Sequence, residues 1–99
     1  MTENVLSLAG KVVLVTGVSS GLGVGIVRVF TERGAKVVGV ARRAAQGEAL
    51  AAEIAAAGGD FTFIAGDVAE EGCWASLAGA CLEKHGRIDV LINNAAVTG

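Results

Sequence analysis

With 99 residues, the chain can form one domain and has no room for a second hydrophobic core. Hydrophobic residues (53%) and 15 glycines make up about two thirds of it, against roughly 45–50% in ordinary globular proteins, which predicts strands buried on both faces of a helix-covered parallel sheet. A net charge of −2 and 4% aromatic residues argue against a nucleic-acid partner, and glycines, serines and a threonine interrupt the longest uncharged run, residues 12–27, which excludes a membrane span.

The first predicted strand and helix flank a glycine-rich turn. Residues 11–16 (KVVLVT) form a short β-branched run that ends at Gly17 and predicts a buried strand. After the turn, apolar residues recur at helical spacing until Gly34, which is placed to end a helix. The inward face of that helix is predicted to carry Gly23, Ile26, Val27 and Phe30.

The same alternation continues along the chain. Residues 36–41 and 61–65 predict the second and third strands. Between them, residues 44–57 predict a helix that stops at a glycine pair. Its inward stripe is predicted to be Leu50, Ile54 and Ala57.

The last helix and strand are predicted at residues 70–85 and 88–93, with Gly86 ending the helix. The helix is predicted to turn Trp74, Leu77, Ala78 and Cys81 inward. On this helix Cys73 and Cys81 are separated by about 12 Å of rise, too far for a disulfide, and neither has a metal-binding partner nearby. We therefore expect free thiols, no metal site and, because the N-terminus lacks a signal peptide, a cytoplasmic protein.

The order βαβαβαβ with short connections predicts an α/β fold, a Rossmann-type doubly wound parallel sheet with right-handed crossovers. Such a domain has a second half of similar size. Residues 1–99 are therefore expected to be the N-terminal part of a dinucleotide-binding domain whose catalytic C-terminal half is absent.

The turn between the first strand and helix, residues 16–23 (TGVSSGLG), is suited to a nucleotide pyrophosphate. The free N–H groups and the dipole of a helix N-terminus favour an anion. We expect Gly17 to form the tight turn, Gly21 to let the phosphates approach, and Gly23 to pack the helix on the sheet. The alternative is a set of ordinary turn glycines. The predicted cofactor-binding residues here are Gly17, Ser19, Ser20, Gly21, Leu22 and Gly23.

Four motifs in order closely resemble the short-chain dehydrogenase/reductase family. They are LAGK at residues 8–11, TGxxxGxG at residues 16–23, GDV at residues 66–68 and NNA at residues 93–95. Together they cover nearly the whole chain. Two positions depart from the family pattern: Val18, where Ala is usual, and Ala96, where Gly is usual.

The resemblance implies a strand order of 3-2-1-4 and several cofactor contacts. Asp67 would hydrogen-bond the adenine, which Val68 would flank, while Asn94, Ala95 and Ala96 would line the cofactor near its central ribose. One asparagine side chain would tie the fourth strand to the turn at Thr16. Alternatively, Asp67 caps the following helix, and one asparagine has a purely structural role. Asp89 is predicted to be structural.

The end of the second strand predicts the cofactor. NAD-preferring domains place an acid there for the ribose 2′-hydroxyl, but this chain has Arg42 and Arg43 and no acidic residue between positions 36 and 48. A guanidinium can hold a 2′-phosphate bidentately. The sequence thus favours NADP(H) over NAD(H), with a solvated arginine pair as the alternative.

No catalytic residue is predicted in this chain. The resemblance implies a Tyr as general acid/base, a Lys four residues later and a Ser, all beyond the NNA motif, and the chain has no tyrosine. His85 is expected to have a structural role at a helix C-terminus, where the helix dipole favours a cation. We expect a parent oxidoreductase that transfers hydride between NADP(H) and an alcohol or carbonyl substrate, with this chain inactive alone.

Two other functions are considered, and an oligomeric state is also expected. A free-standing nucleotide-binding or interaction module is the alternative function. A Rossmann methyltransferase is disfavoured because its glycine turn is usually followed by an acid at the end of the second strand. The full-length parent is expected to be a homo-oligomer, and the isolated chain is expected to self-associate through an open strand edge.

Overall fold

The computed structural model describes residues 8–18 and 21–94. The predicted alternation of strands and helices is confirmed, and no predicted end differs by more than three residues from the observed one. In chain order the elements are β1 (Val12–Thr16), α1 (Gly21–Glu32), β2 (Lys36–Ala41), α2 (Ala44–Ala56), β3 (Asp60–Ala65), α3 (Cys73–His85) and β4 (Val90–Asn93).

The four strands form one parallel sheet in the order β3-β2-β1-β4, which confirms the predicted order and the Rossmann-type fold. In register, Thr16 lies beside Val40 on one side and Asn93 on the other. Ala41 pairs with Ala65 at the same end of the sheet. Because all strands run in one direction, the loops that carry the predicted site residues all leave from the carboxyl ends of the strands, on one side of the sheet.

The core lies on both faces of the sheet. All five residues of β1 are buried, as a central parallel strand requires. Alternate side chains point to opposite faces: Val13 and Val15 pack in the core cluster that includes residues of α1 and α2, whereas Val12 and Leu14 pack in the cluster that includes residues of α3. Helices α1 and α2 therefore cover one face, and α3 covers the other.

The inward faces of α1 and α2 are largely as predicted, with one correction. Val27 of α1 and Leu50 and Ile54 of α2 are buried. Ala57, predicted in the stripe of α2, lies just past its last residue and is exposed. Gly47 is buried as well, because the Phe63 ring lies against the helix backbone at this position and leaves no space for a Cβ.

The start of α3 and the set of residues that it turns toward the sheet also differ from the prediction. The helix begins at Cys73 rather than at residue 70, and Trp74 is exposed rather than buried. Cys73, Leu77 and Cys81 face the sheet instead, since residues four apart align on one side of a helix. Trp74 and the half-buried Ala78 consequently lie on the flank of this stripe.

The two cysteines are free thiols, one half-buried and one fully buried. Burial raises the pKa of the Cys81 thiol, which keeps it protonated at neutral pH. Within residues 8–18 and 21–94, no cluster of side chains could hold a metal ion. None of the helices in this part of the chain is long and apolar enough to cross a membrane.

Asp89 joins the start of β4 to the start of β1. Its backbone N–H donates to the Val12 carbonyl oxygen, and the Val12 N–H donates back to Asp89 Oδ2, each over 2.8 Å. Arg87 Nε also donates to Asp89 Oδ2 over 2.8 Å. These bonds give Asp89 a structural role in aligning the two strands. The hydrogen bond from Arg87, followed by that from the Val12 N–H, lowers the pKa of the Asp89 carboxyl.

Candidate functional site

The glycine turn after β1 folds over the end of β2. The N–H of Gly17 donates to the Val40 carbonyl oxygen over 2.9 Å, and the Val18 N–H donates to the same oxygen over 3.3 Å. Gly17 has a φ of +73°, in the left-handed region that glycine adopts without strain. Val18 is completely buried beneath the turn. Gly17 thus has the tight-turn conformation that the sequence predicts.

Helix α1 packs directly against this turn. A Cβ added at Gly23 would overlap the carbonyl oxygen of Gly17 and lie 2.9 Å from Asn94 Nδ2. Any larger residue would force the helix away from the turn. Gly23 accordingly has the close helix packing that the sequence predicts.

Gly21, the first residue of α1, faces open space. Apart from its chain neighbours and the backbone of α1, no atom of the described residues lies within 4 Å of a Cβ placed there. The adjacent Leu22 side chain is also exposed. The first N–H groups of a helix have no partner within it and carry the positive end of its dipole. The start of α1 therefore offers an open surface of hydrogen-bond donors. Ser19, Ser20, Ala95 and Ala96 lie outside the described residues.

Both asparagines of the NNA motif bind the turn. The hydroxyl of the buried Thr16 donates to Asn93 Oδ1 and accepts the N–H of Asn94, each over 3.0 Å. Asn94 Nδ2 donates to the Gly17 carbonyl oxygen over 3.2 Å. The predicted tie between the fourth strand and the turn is confirmed, and it uses two asparagine side chains where the sequence predicted one.

The loops after β2 and β3 bring opposite charges together. Arg42 Nη1 lies 4.0 Å from Asp67 Oδ2, and the arginine side chain is 78% exposed. Arg43 is also exposed and occupies the N-cap position of α2 without a side-chain capping bond. This ion pair was not predicted from the sequence. One sequence signal could have indicated it. Arg42 closely follows the second predicted strand and Asp67 the third, and these two strands were expected to be parallel neighbours.

Asp67 is held in a turn of its own. Its Oδ1 accepts the Ala69 N–H, and its carbonyl oxygen accepts the Glu70 N–H, each over 2.9 Å. The suggestion that Asp67 caps the next helix is wrong, because α3 starts at Cys73 and Gly72 is its N-cap residue. Val68 packs against the core cluster beneath α3.

His85 lies away from these residues. Since α3 leads from the carboxyl end of β3 back to the amino end of β4, its last residue is near the amino ends of the strands, opposite the glycine turn. His85 Nε2 is buried without a hydrogen-bond partner among the described residues. This position separates His85 from the glycine turn, Arg42 and Asp67.

A parallel sheet of order 3-2-1-4, with a glycine turn at the first strand–helix junction, defines a Rossmann-type dinucleotide-binding domain. The model of the short chain dehydrogenase family matches residues 11–99. The chain belongs to the short-chain dehydrogenase family, whose members bind nicotinamide dinucleotides.

Similar proteins include several oxidoreductases. The chain is 39% identical over 93 residues to a 3-oxoacyl-(acyl-carrier-protein) reductase of Chlamydia pneumoniae, covering 94% of this chain and 38% of the relative. It is 42% identical over 90 residues to the 2,5-dichloro-2,5-cyclohexadiene-1,4-diol dehydrogenase of Sphingobium indicum, covering 91% and 36%. The chain therefore spans less than two fifths of the length of these relatives.

Solved structures agree with this assignment. A metagenomic short-chain oxidoreductase in complex with NADP superposes with a TM-score of 0.84 at 43% identity, over 91% of this chain and 41% of the other. A hydroxysteroid dehydrogenase from Escherichia coli gives a TM-score of 0.92 at 32% identity, over 100% and 42%. The alternative of a free-standing nucleotide-binding or interaction module is not favoured by these comparisons.

Proposed function

We propose that this chain is the NADP(H)-binding part of a short-chain oxidoreductase, which transfers hydride between NADP(H) and an alcohol or carbonyl substrate. The observation that carries the cofactor preference is the position of Arg42 at the carboxyl end of β2, beside the glycine turn. A carboxylate at that position would repel a 2′-phosphate, whereas a guanidinium attracts it. The NADP complex of the metagenomic relative supports the same cofactor.

The shape of the turn fits a dinucleotide. The open space over Gly21 leaves the first N–H groups of α1 accessible, and the close contact at Gly23 holds the helix start against the turn. Pyrophosphate oxygens are suited to such a helix start. We assign the pyrophosphate to Gly17, Ser19, Ser20, Gly21, Leu22 and Gly23.

The remaining contacts are assigned around the same edge of the sheet. Arg42 and Arg43 would hold the 2′-phosphate, and Asp67 and Val68 would flank the adenine. Asn94, Ala95 and Ala96 would line the cofactor near its central ribose. When bound, the cofactor supplies or accepts the hydride.

Hydride transfer to a carbonyl also needs a proton donor for the developing alkoxide. The chain has no tyrosine, and its one histidine is near the opposite edge of the sheet. We propose that the proton-transfer groups belong to further residues of a longer protein, which we expect to be a cytoplasmic homo-oligomer.

A titration of the purified chain with NADPH and NADH, followed by ligand-observed NMR, tests the proposal. We expect saturable binding of both cofactors, with the lower Kd for NADPH. The Gly21→Val variant serves as the matched control for binding at the turn. Absence of saturable binding would overturn the nucleotide site, and a lower Kd for NADH would overturn the assignment of Arg42.

A further inference from the structure

We infer that Asp67 is a specificity-determining residue that moderates the preference for the 2′-phosphorylated cofactor by pairing with Arg42. This inference rests on the proposed function, in which Arg42 holds the 2′-phosphate. Its basis is the ion pair between Arg42 Nη1 and Asp67 Oδ2 at 4.0 Å. The carboxylate competes with a phosphate for the same guanidinium.

The strand register makes this pairing a built-in feature of the sheet edge. Ala41 pairs with Ala65, and the Gly66 N–H donates to the Ala41 carbonyl oxygen over 3.0 Å, which extends the contact by one residue. Arg42 and Asp67 follow directly from these positions. Pairing of β2 with β3 therefore places Arg42 and Asp67 next to each other in the two loops that follow these strands.

The two partners differ in freedom. The Asp67 carboxylate is anchored, because Oδ1 accepts the Ala69 N–H over 2.9 Å and only Oδ2 faces the guanidinium. The Arg42 side chain is 78% exposed, so it can turn toward solvent or toward a ligand. Asp67 thus presents a hydrogen-bonded carboxylate to an exposed guanidinium group.

The surroundings of Asp67 are acidic. A cavity of about 310 Å³ beside it is also lined by Glu70 and Glu71. A phosphate approaching Arg42 would meet repulsion from this side, since like charges oppose each other at short range. The pair consequently lowers the net attraction for a 2′-phosphate, while a ligand with a free 2′-hydroxyl experiences little of this effect.

The adenosine half of the cofactor provides the sharpest probes. 2′,5′-ADP and 5′-AMP differ only in the 2′-phosphate, so the ratio of their Kd values measures recognition of that group. In Asp67→Asn the amide oxygen can still accept the Ala69 N–H, while the charge is lost. We expect this variant to increase the preference for 2′,5′-ADP about two- to fivefold, the range for an exposed ion pair.

Two further variants distinguish an effect of the Arg42–Asp67 ion pair from an effect of nearby negative charge in general. Glu70→Gln removes a neighbouring carboxylate of the same cavity and should change the ratio less than Asp67→Asn does. In an Arg42→Gln background, Asp67→Asn should have a smaller effect on the ratio, because the paired guanidinium is gone. Circular dichroism of each variant checks that the fold is retained.

The outcomes distinguish this inference from the proposed function. If wild type prefers 2′,5′-ADP and Asp67→Asn leaves the ratio unchanged or lowers it, Asp67 does not moderate the preference, although the 2′-phosphate site stands. Equal weakening of both ligands would assign Asp67 to adenine binding alone. If Glu70→Gln matches Asp67→Asn, the effect is one of general charge, and the inference fails. If wild type binds neither ligand, the proposed function itself fails.

Discussion

Asn94 Nδ2 donates a hydrogen bond of 3.2 Å to the carbonyl oxygen of Gly17, which joins the residue after β4 to the glycine turn after β1. The same carbonyl group lies against Gly23 of α1. The residue after β4 and a residue of α1, which are far apart in the sequence, therefore both contact the carbonyl group of Gly17. Because the Gly17 carbonyl group lies so close to α1, there is no space for a side chain at position 23.

Gly23→Ala should destabilise the protein because its Cβ would overlap the Gly17 carbonyl oxygen. We expect a loss of about 1–3 kcal/mol in the free energy of unfolding, as for other overpacked sites, measured by urea denaturation. Gly25→Ala is the matched control in the same helix, where nothing lies within 4 Å, and it should stabilise by about 0.5–1 kcal/mol. Equal effects of the two changes would contradict the packing role.

Gly21→Val should abolish nucleotide binding while the fold is retained. The position faces open space, and the new side chain would occupy the volume assigned to the pyrophosphate. Circular dichroism should show at most a partial loss of helix signal, while an NADPH titration shows no saturation. Unchanged binding would mean that Gly21 is only a turn residue.

Arg42→Asp should weaken NADPH binding much more than NADH binding. The loss for NADPH is expected to be about 1.5–3 kcal/mol, the range for a charge-assisted hydrogen bond. Lys36→Asp provides the same change in charge at the amino end of β2, on an exposed side chain, and should alter both affinities little. Equal weakening of the two cofactors by Arg42→Asp would disprove the assignment.

Asp89 should make stability depend on pH in the acid range. The hydrogen bond from Arg87, and then that from the Val12 N–H, lower the pKa of its carboxyl in the folded state. The stabilisation is therefore fully present above the unfolded-state pKa of about 4 and is lost as the pH falls through the lower folded-state pKa.

We expect Asp89→Asn to lower the urea midpoint at pH 7, with a difference from wild type that shrinks as the solution is made strongly acidic. Glu48→Gln, at an exposed carboxylate on α2, is the control and should follow the wild-type pH profile. A difference for Asp89→Asn that stays constant across the acid range would show that the hydrogen bonds do not depend on the charge of Asp89.

The purified 99-residue chain should self-associate at micromolar concentration. Leu91 lies on the outer strand of the described sheet and is 56% exposed. An apolar outer strand is a template for pairing with another chain. Sedimentation should show assemblies that Leu91→Lys reduces, while Val29→Lys on the outer side of α1 leaves them unchanged. A stable monomer at micromolar concentration would refute this prediction.

Local patterns in the sequence are enough to predict most of the fold. The β-branched run in residues 36–41 gives the bounds of β2, and apolar residues at helical spacing place Val27 and Leu50 in the core. The glycine turn is also predictable, because tight turns and close helix packing demand glycine at Gly17 and Gly23. In each case the signal lies within a few residues of the position concerned.

The tertiary structure decides which distant side chains meet. Trp74 and Cys73 are both apolar, and only the orientation of α3 on the sheet determines that Cys73 faces inward. The pairing of Arg42 with Asp67 depends on the register of β2 and β3, and the bonds from Thr16 to the asparagines depend on β1 lying beside β4. Hydrophobic periodicity is a property of one segment, whereas these contacts require the relative placement of two segments, which only the packed sheet sets.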